Sequence, residues 1–408
     1  MLTLGLTPAE KTALLAELRS SSQRIRVRVS VLNRDEKVMH SLDAPASQIL
    51  AGAVDVDATA DVTRSLDLEL LDEHRALGFD SSSPAQAGLF ADNLVAVERG
   101  VYVDELSRWV DVPVFWGPLT NFERDGARVK LEGQGKESLG LSPHFATQGY
   151  TIRKGRRLDD AIRDVMDRIG ETRYSLPDIG ARLPRHAVVE PDDEPWRVVK
   201  FGWEAEDRVI RGKGKNRHKE RVTVDYNGLI AYAGNFNLFY NGNGRLVARR
   251  RSRDPVLTLA EGRDLSDRPV PRFDVLSARN HVVVTGAKIT RGKKPHRHHV
   301  QMRAAATLKS THPLSPKSLA RNGKPRHLTE FITADNLKTR AACRARAERV
   351  LLEKSRDGLE LTFSCLPFPL LEELDTVRVR TEEYQLDVVL KRFSIPLDEG
   401  LMSIGWDR

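Results

Sequence analysis

The chain is poor in cysteine, and its apolar residues never gather into a long run. Its two cysteines, Cys343 and Cys365, are too few for a disulfide framework and have no second pair with which to form a zinc site. We expect both to be buried thiols, because cysteine is among the most buried residue types. No apolar run approaches the roughly 18 residues that cross a bilayer, which predicts a protein without a membrane-spanning segment.

The amino terminus lacks the features of a signal peptide. The stretch MLTLGLTPAEK has neither a basic n-region nor a long apolar core. We therefore expect the chain to be made, and to fold, in the cytosol.

Common catalytic and cofactor-binding motifs are absent as well. The sequence contains no GxSxG, no HExxH, no EF-hand loop and no Rossmann glycine fingerprint. Gly212–Lys215 (GKGK) resembles a phosphate loop only in part, because Lys215 is followed by Asn216 and not by Ser or Thr. No pair of acids stands out, although carboxylates that meet only in space would leave no signal in the sequence. We assign no catalytic residue and no cofactor-binding residue.

Histidine is concentrated in one part of the chain. His296, His298 and His299 lie close together, and His312 and His327 follow. Imidazole is a good ligand for transition metals, but these residues stand among Lys and Arg, which repel a cation, and no acid is nearby. The pattern predicts no metal site.

Positive charge is distributed unevenly. The net charge is +8, yet the segment Lys288–His327 holds eleven Lys or Arg and no acid, so the rest of the chain sums to about −3. Arg208–Arg221 and Arg245–Arg253 are two further basic stretches that could neutralise phosphates. Aromatic residues that would stack on bases are nearly absent from all three. We expect docking on an acidic protein partner, and at most transient, non-specific contact with DNA.

Period-two patterns dominate the first part of the chain. A capping box at Thr7–Glu10 predicts a short helix, and Ile25–Val31 then alternates as a half-buried strand. The stretch Val112–Leu141 predicts a β-hairpin that turns at Asp125-Gly126, where both central residues would accept positive φ. Pro118 predicts that its first arm is an edge, a bulge or a bent strand.

Later segments alternate between helical and strand patterns. Helices are predicted at Leu158–Gly170, from the apolar stripe of its residues, and from after Thr333 to Lys354, where alanines favour close packing. The basic segment Lys288–His327 is predicted to be a long loop, because its apolar residues are few and scattered. Further strands are predicted around Val282–Val284, Leu359–Phe363, Val377–Val379 and Leu386–Leu390.

These patterns predict a mainly β chain of the α+β class. The apolar content of 40% excludes a wholly disordered chain, and 408 residues suffice for two to four domains. The predicted architecture is two antiparallel β-barrel-like domains separated by a smaller α+β domain. Its parts are an N-terminal docking helix at 1–22, a first β-barrel domain at 23–147, an α+β middle domain at 148–254, and a second β-barrel domain at 255–408 with a basic insertion at 288–327 and a long helix at 334–354.

Several local patterns, taken in order, cover most of the chain. They are Trp116-Gly117-Pro118 with the DG turn before VKLEGQ, the helix at Leu158–Gly170, NLFYNGNGRLVAR at Asn237–Arg249, ARNHVVVTG at Ala278–Gly286, and PFP at Pro367–Pro369 followed by VRV, IPL and LMSIG. In this order they resemble the phage tail hub family, which comprises baseplate hub proteins of contractile phages and the related tail-tip proteins of non-contractile tails.

The resemblance implies a structural virion protein and no enzyme. It implies a homotrimer whose barrel-like domains form a pseudo-sixfold ring around the DNA exit channel at the tail tip, assembled in the host cytoplasm. The implied partners are the tail tube or a distal tail protein ring above, a tip or fibre protein below, and the tape measure protein. A tail-associated cell-wall hydrolase and a non-specific nucleic-acid-binding protein are the alternatives.

Overall fold

Strands make up most of the regular structure, which confirms the mainly β α+β class predicted from the sequence. The computed structural model of the chain describes all residues except 21, 34, 78–92, 142–148, 212–217, 235, 251, 253, 271, 274–277, 292–297, 335, 336, 338, 355–358, 407 and 408. The chain divides into two units, the first made of Met1–Arg268 and Ser364–Ile404 and the second of Pro269–Phe363 and Gly405–Arg408. The four-part division predicted above stays a prediction.

Helices are few and short. The α-helices are α1 (Pro8–Glu17), α2 (Leu158–Asp167) and α3 (Arg340–Lys354). Single turns of 3₁₀-helix lie at Ala46–Gln48, Asp104–Leu106, Lys136–Gly140 and Leu229–Ala233, and a short π-helix lies at Arg197–Phe201. The predicted capping box is confirmed, because Thr7 and Glu10 each accept a hydrogen bond from the backbone N–H of the other.

The strands are numbered in chain order. Those of the first half are β1 (Ile25–Leu32), β2 (Val38–Pro45), β3 (Ile49–Asp57), β4 (Arg64–Leu71), β5 (Leu94–Val103), β6 (Arg108–Asp125), β7 (Arg128–Gln134), β8 (Tyr150–Ile152), β9 (Tyr174–Ser175), β10 (Ala187–Val189), β11 (Gly202–Arg211) and β12 (His218–Asn227). Those of the second half are β13 (Phe236–Tyr240), β14 (Leu246–Arg250), β15 (Leu257–Ala260), β16 (Arg272–Phe273), β17 (His281–Arg291), β18 (His298–Thr307), β19 (Thr329–Thr333), β20 (Leu359–Cys365), β21 (Thr376–Arg380), β22 (Gln385–Val389), β23 (Arg392–Pro396) and β24 (Met402–Trp406).

One large sheet organises the first unit. Its strand order there is β24-β23-β3-β4-β7-β6-β5-β1-β2, so two of the last strands of the chain pair next to β3. On β1, Val27, Val29 and Val31 are buried while the residues between them are partly exposed, as the period-two pattern predicted. The sheets are not closed, so the predicted barrels are not confirmed.

The predicted hairpin is the centre of this sheet. Its first arm, β6, pairs with β5 up to Pro118 and with β7 from Leu119 onward, and the register shifts just after that change. Pro118 therefore lies where a long strand changes partners, as a bent strand requires. The turn differs from the prediction: Asp125 still pairs with Arg128, and the two turn residues are Gly126, with a φ of 61°, and Ala127. One positive φ, at the first central glycine, is typical of a type II′ turn.

The middle of the first unit packs around α2. The apolar face of this helix is buried against small sheets formed by β8 and β10 and by β9, β13 and β14, as the predicted stripe required. The core of this region contains Leu158, Ile162, Val165, Met166, Trp196, Val199, Leu229, Leu238 and Leu246.

In the second unit, α3 packs on a three-stranded sheet of order β18-β17-β19. Cys343 and Ala347 of α3 are fully buried, whereas Ala341 and Ala345 are exposed, so the close packing predicted from the alanines holds only at Ala347. The sheet contributes Val282 and Val284 from β17 and Met302, Ala304 and Ala306 from β18.

The prediction that Lys288–His327 is a long loop is wrong. Strand β18 lies within this segment, and its residues alternate between buried (Met302, Ala304) and exposed (Gln301, Arg303) positions. Three of the core residues of the strand are Met or Ala, which carry a weaker apolar signal than Val, Ile or Leu, and the surrounding cations hide the period of two.

The rest of that basic segment is held by one buried side chain. Asn280, which is fully buried, donates from Nδ2 to the carbonyl oxygens of Leu314 (3.0 Å) and Arg326 (2.9 Å). Its Oδ1 accepts from the backbone N–H of Leu328 (2.7 Å). The loop at 308–328 is therefore ordered by the chain itself.

We predict that Asn280→Ala frees this loop. Three main-chain groups would lose their partner, and an unsatisfied buried group costs about 1–3 kcal/mol, so we expect the free energy of unfolding to fall by ~3 kcal/mol. Amide hydrogen exchange across 308–328 should accelerate. Asn121→Ala is the control, because its side chain makes one exposed hydrogen bond, to Glu123. Unchanged exchange in the loop of the Asn280 variant would contradict this role.

Candidate functional site

The histidines singled out by the sequence are not brought together as metal ligands. His296 lies outside the described residues, His299 is exposed on β18, and His327 packs edge-on against His281 with ring centroids 5.0 Å apart. His312 accepts a hydrogen bond at Nδ1 from the backbone of Leu314. In the described part of the chain no three His, Cys, Asp or Glu side chains are placed to share a metal ion.

Other singled-out residues have structural surroundings or lie outside the described ranges. Gly212–Lys215 falls on residues that are not described. Both cysteines are fully buried, as predicted, and burial raises the pKa of Cys365. In the basic stretch at 245–253, Arg249 pairs with Asp375 at 2.9 Å and donates to the carbonyl oxygen of Glu373. Across the described ranges, no helix combines the length and apolarity that a bilayer crossing requires.

Two features that the sequence analysis missed stand out in the first unit. The first is a cluster of buried charges, the charge junction, formed by Arg64, Glu137, Lys200, Glu372 and Glu373. Arg64 begins β4, Glu137 lies in the 3₁₀ turn after β7, Lys200 lies in the π-helix, and the two glutamates precede β21. The junction thus collects side chains from four separate parts of the chain.

An ion pair between Arg64 and Glu372 lies at the centre of the charge junction. Both side chains are about 3% exposed, and Nη2 of Arg64 contacts Oε2 of Glu372. Arg64 also donates from Nη1 to the carbonyl oxygen of Val114 (3.0 Å), and Oε1 of Glu372 accepts from the backbone N–H of Gly242 (3.1 Å). At Gly242 an added Cβ would lie 2.5 Å from the carbonyl oxygen of Pro113, so only glycine allows this approach.

Glu137, Glu373 and Lys200 complete the junction with fewer hydrogen bonds. Glu137 is fully buried, and its Oε1 accepts a hydrogen bond from the Thr63 hydroxyl. Three other atoms of the junction have no hydrogen-bond partner among the described residues: Oε2 of Glu137, Oε2 of Glu373 and Nζ of Lys200. Burial raises the pKa of Glu373 to about 7, with a further contribution from Glu137, and the charges of Lys200 and Arg64 oppose this rise. Glu373 is therefore largely protonated below neutral pH.

A second ionic group is centred on Lys136, the residue before Glu137 in the chain. Lys136 pairs with Glu36 and Glu171, each at 2.6 Å, and the Tyr240 hydroxyl donates to Glu171 at 2.9 Å. Burial, followed by the charge of Glu171, raises the pKa of Tyr240 far above its usual range. These contacts tie the loop after β1 to the middle of the first unit.

Burial decides what the charge junction can do. Perturbed pKa values are a common mark of catalytic groups, but a catalytic acid must reach its substrate. Glu137 and Glu373 are 0% and 1% exposed, so no polysaccharide or nucleic acid can contact either carboxylate in this conformation. The arrangement is suited to holding chain segments in register.

The second missed feature is a groove of about 620 Å³ on the outward face of the large sheet. Its floor is formed by β1, β2, β5 and β6. At one end, Trp116 packs with the buried Leu32 and Ala96, and the exposed Val38 borders them on the edge strand β2.

The other end of the groove is charged. Arg28 pairs with Asp43 (2.7 Å), Asp111 (3.1 Å) and Glu98 (3.5 Å), and Arg26 also pairs with Asp111 (2.7 Å). Burial and the neighbouring Asp111 raise the pKa of Glu98 more than Arg28 lowers it. Three carboxylates thus face two guanidinium groups, and Glu98 is the least neutralised of them.

Neither feature could be located from local patterns. The clearest signal is Glu372-Glu373 inside the run LLEEL, because two acids in an apolar stretch need buried partners. The partners, however, lie up to 308 residues away in the chain. For the groove, the alternation on β1 identifies which residues point outward, but not which strands lie beside it.

Comparison with known proteins shows the fold. No protein-family model matches the sequence, and no curated protein matches it. The 43 kDa tail protein of prophage MuSo2 from Shewanella oneidensis is similar, with a TM-score of 0.57 and 11% identity over 94% of this chain and 97% of that one. The tail protein from Neisseria meningitidis MC58 has a TM-score of 0.50 and 13% identity over 94% and 96% of the two chains. The chain shares its fold with these tail proteins, in agreement with the resemblance stated from its sequence.

We predict that Arg64→Met destabilises the chain strongly. Removing one partner of a buried ion pair leaves the other charge uncompensated, which typically costs about 3–5 kcal/mol. The matched control is Arg378→Met, because Arg378 pairs with Asp387 in two-point contact while both side chains stay more than a third exposed. Exposed pairs contribute about 1 kcal/mol or less. Equal losses for the two variants in urea unfolding would refute a special role for the Arg64 pair.

We predict that Glu373 makes stability depend on pH. Its folded-state pKa of about 7 is above the ordinary 4.5, so the stabilisation from its bound proton is complete below pH 4.5 and is lost as the pH rises through 7. A shift of that size corresponds to about 3 kcal/mol. Glu373→Gln should therefore unfold at a higher urea concentration than the parent chain at pH 8, and the difference should shrink towards pH 5. If the two chains differed in urea midpoint by the same amount at pH 8 and at pH 5, titration of Glu373 would be ruled out as the cause.

Proposed function

We propose that this chain is a structural virion protein, a tail hub that forms a trimeric, pseudo-sixfold ring joining the tail tube to the tail tip around the DNA exit channel. The proposal rests on the fold shared over 94% of the chain with two tail proteins. Because one fold can host several functions, the construction of the molecule has to agree with the role as well.

The charge junction agrees with a scaffolding role. A hub must keep its shape while neighbouring rings attach to it, so contacts between distant chain segments have to be rigid. The Arg64–Glu372 pair joins β4 to the segment before β21, and Gly242 adds the β13–β14 turn. Buried polar contacts with several partners specify one arrangement of the segments they join.

The rival function of a cell-wall hydrolase has less support. A glycosidase needs two carboxylates that flank an accessible sugar. The carboxylates of the charge junction are enclosed, and the acids of the groove are held by Arg26 and Arg28. A zymogram on host cell walls should show no clearing by the purified chain, and clearing would favour the hydrolase.

The proposed partners are those of a ring in the virion tail tip. The tail tube or a distal tail protein ring would lie above the hub, a tip or fibre protein below it, and the tape measure protein inside, with assembly in the host cytoplasm. Contact with DNA would be transient and non-specific, because the described cations of the basic segment are concentrated in the second unit and not spread over the chain.

We predict three copies of the chain in each assembled tail tip. Two observations on purified tails test this: the rotational symmetry of the tip by electron cryomicroscopy, and the copy number relative to a tail protein of known count by quantitative mass spectrometry. In a closed ring of identical subunits the rotational symmetry equals the number of copies, so the two measurements have to agree. Six copies per tip, or absence of the chain from purified tails, would contradict the proposal. The isolated chain is not a substitute sample, since ring closure can require the neighbouring tail proteins.

A further inference from the structure

The loop at 308–328 of the second unit presents a cluster of cations, which we call the basic knuckle: Lys317, Arg321, Lys324 and Arg326. All four side chains are exposed. Two backbone hydrogen bonds between Arg321 and Lys324, at 3.0 and 2.9 Å, close a tight turn. The turn passes through Asn322 and Gly323, whose φ angles are 51° and 75°. Two successive residues with positive φ give a type I′ turn, which places the backbones of Arg321 and Lys324 opposite each other.

The backbone of the basic knuckle is held by hydrogen bonds within the chain. Asn280 ties its backbone to β17, as described above, and the buried Ser315 accepts from the backbone N–H of Ser318 at 3.1 Å. Among the described residues, none of the four cations has an ion-pair partner. Because the backbone that carries these cations is already hydrogen-bonded, association with an acidic surface would order their side chains but would require little further ordering of the backbone.

The groove of the first unit has the complementary properties. Its charged end holds three carboxylates for two guanidinium groups, so it can accept a further cation beside Glu98. Its other end is lined by Leu32, Val38, Ala96 and Trp116, and the guanidinium of Arg173 lies over the Trp116 ring, 3.9 Å from its centroid. The basic knuckle carries exposed proline rings, Pro313 and Pro325, close in sequence to its cations, and aromatic surfaces are common binding sites for proline.

We propose that the basic knuckle of one copy docks in this groove on the next copy of the chain, with its cations beside Glu98 and Asp43 and its prolines towards Trp116. Two different surfaces of the same chain meet in such a contact, which is the heterologous kind that generates rings. The inference rests on the proposed threefold ring, and it names the surfaces through which neighbouring subunits of that ring would recognise each other.

DNA is the competing occupant of the basic knuckle. Phosphate binding needs only positive charge, whereas the groove offers both carboxylates and an aromatic floor. The chain outside Lys288–His327 has a net charge of about −3, from +8 less the eleven cations, and the carboxylates that the basic knuckle would meet are those of the groove. Charge complementarity therefore favours a second copy.

A photo-cross-linking experiment tests the contact directly. A benzophenone amino acid in place of Lys324 is incorporated during assembly with the other tail proteins, and purified tails are irradiated. We expect an adduct of twice the mass of the chain, with the cross-link in residues 38–43 or 94–98 of the second copy. Adducts with DNA or with a different tail protein would overturn the proposal. The control carries the same benzophenone amino acid in place of Lys154, an exposed cation of the first unit.

Charge reversal supplies an independent measurement, which also decides the case if no adduct forms. Arg321→Glu and Glu98→Lys should each lower the fraction of the chain recovered in tails by about tenfold, because each places like charges together. The two changes in one chain should restore recovery, since the pair is then re-formed with its signs exchanged. Lys154→Glu is the matched control and should be recovered like the parent chain.

The outcomes separate this inference from the proposed function. Single reversals that are recovered like the control, or a double variant recovered no better than the single ones, would refute the contact. Tails that still contain three copies in that case would leave the hub assignment in place. Absence of the unaltered chain from tails would instead refute the hub assignment. Thermal unfolding of each variant verifies that the chain is folded before recovery is compared.

Discussion

The buried ion pair between Arg64 and Glu372 is the contact on which the first unit depends most. Transferring two charges from water to a protein interior carries a large desolvation penalty, which their attraction offsets only when the geometry is good and the remaining donors and acceptors are satisfied. Here the carbonyl oxygen of Val114 and the backbone N–H of Gly242 each satisfy one further group of the pair, while Nε of Arg64 has no hydrogen-bond partner among the described residues. The pair therefore holds only when four segments of the chain are in place together. A shift of any one of these segments would leave a charge buried without its partner. The ion pair therefore selects this arrangement of the segments more than it adds to the stability of the fold.

This constraint also explains why perturbed titration occurs in a protein that we assign a structural role. Glu373 and Glu137 lie beside the ion pair, in a space too enclosed to hydrate them, and one of them holds a proton near neutral pH because only part of their charge is compensated. In an enzyme such a carboxylate would face a cleft. The groove on the outward face of the sheet shows the converse: its carboxylates are reachable but largely neutralised by Arg26 and Arg28. Glu98, the least neutralised of these carboxylates, is only partly exposed, and its raised pKa follows first from burial.

Local patterns predicted those elements whose cause is local. The capping box at Thr7, the alternation on β1 and the apolar stripe of α2 are confirmed, because each depends on residues within one or two turns or a single strand. Two predictions failed, each for its own reason. The hairpin turn lies at Gly126-Ala127 because Asp125 still pairs with Arg128, which no dipeptide preference reveals. Strand β18 was missed because its core residues are Met and Ala, whose burial depends on the helix that covers them.

The sequence by itself determined the class of the protein, the position of its central hairpin and the uneven distribution of its charge. These properties follow from composition and from short-range periodicity, which are present in the chain before it folds. Only the tertiary structure decided that β23, from the carboxyl-terminal part, pairs with β3, that Arg64 meets Glu372, and that Asn280 holds the loop at 308–328. Each of these contacts joins residues far apart in the chain, and a buried charge or amide selects its partner by geometry in space, for which linear order carries no signal.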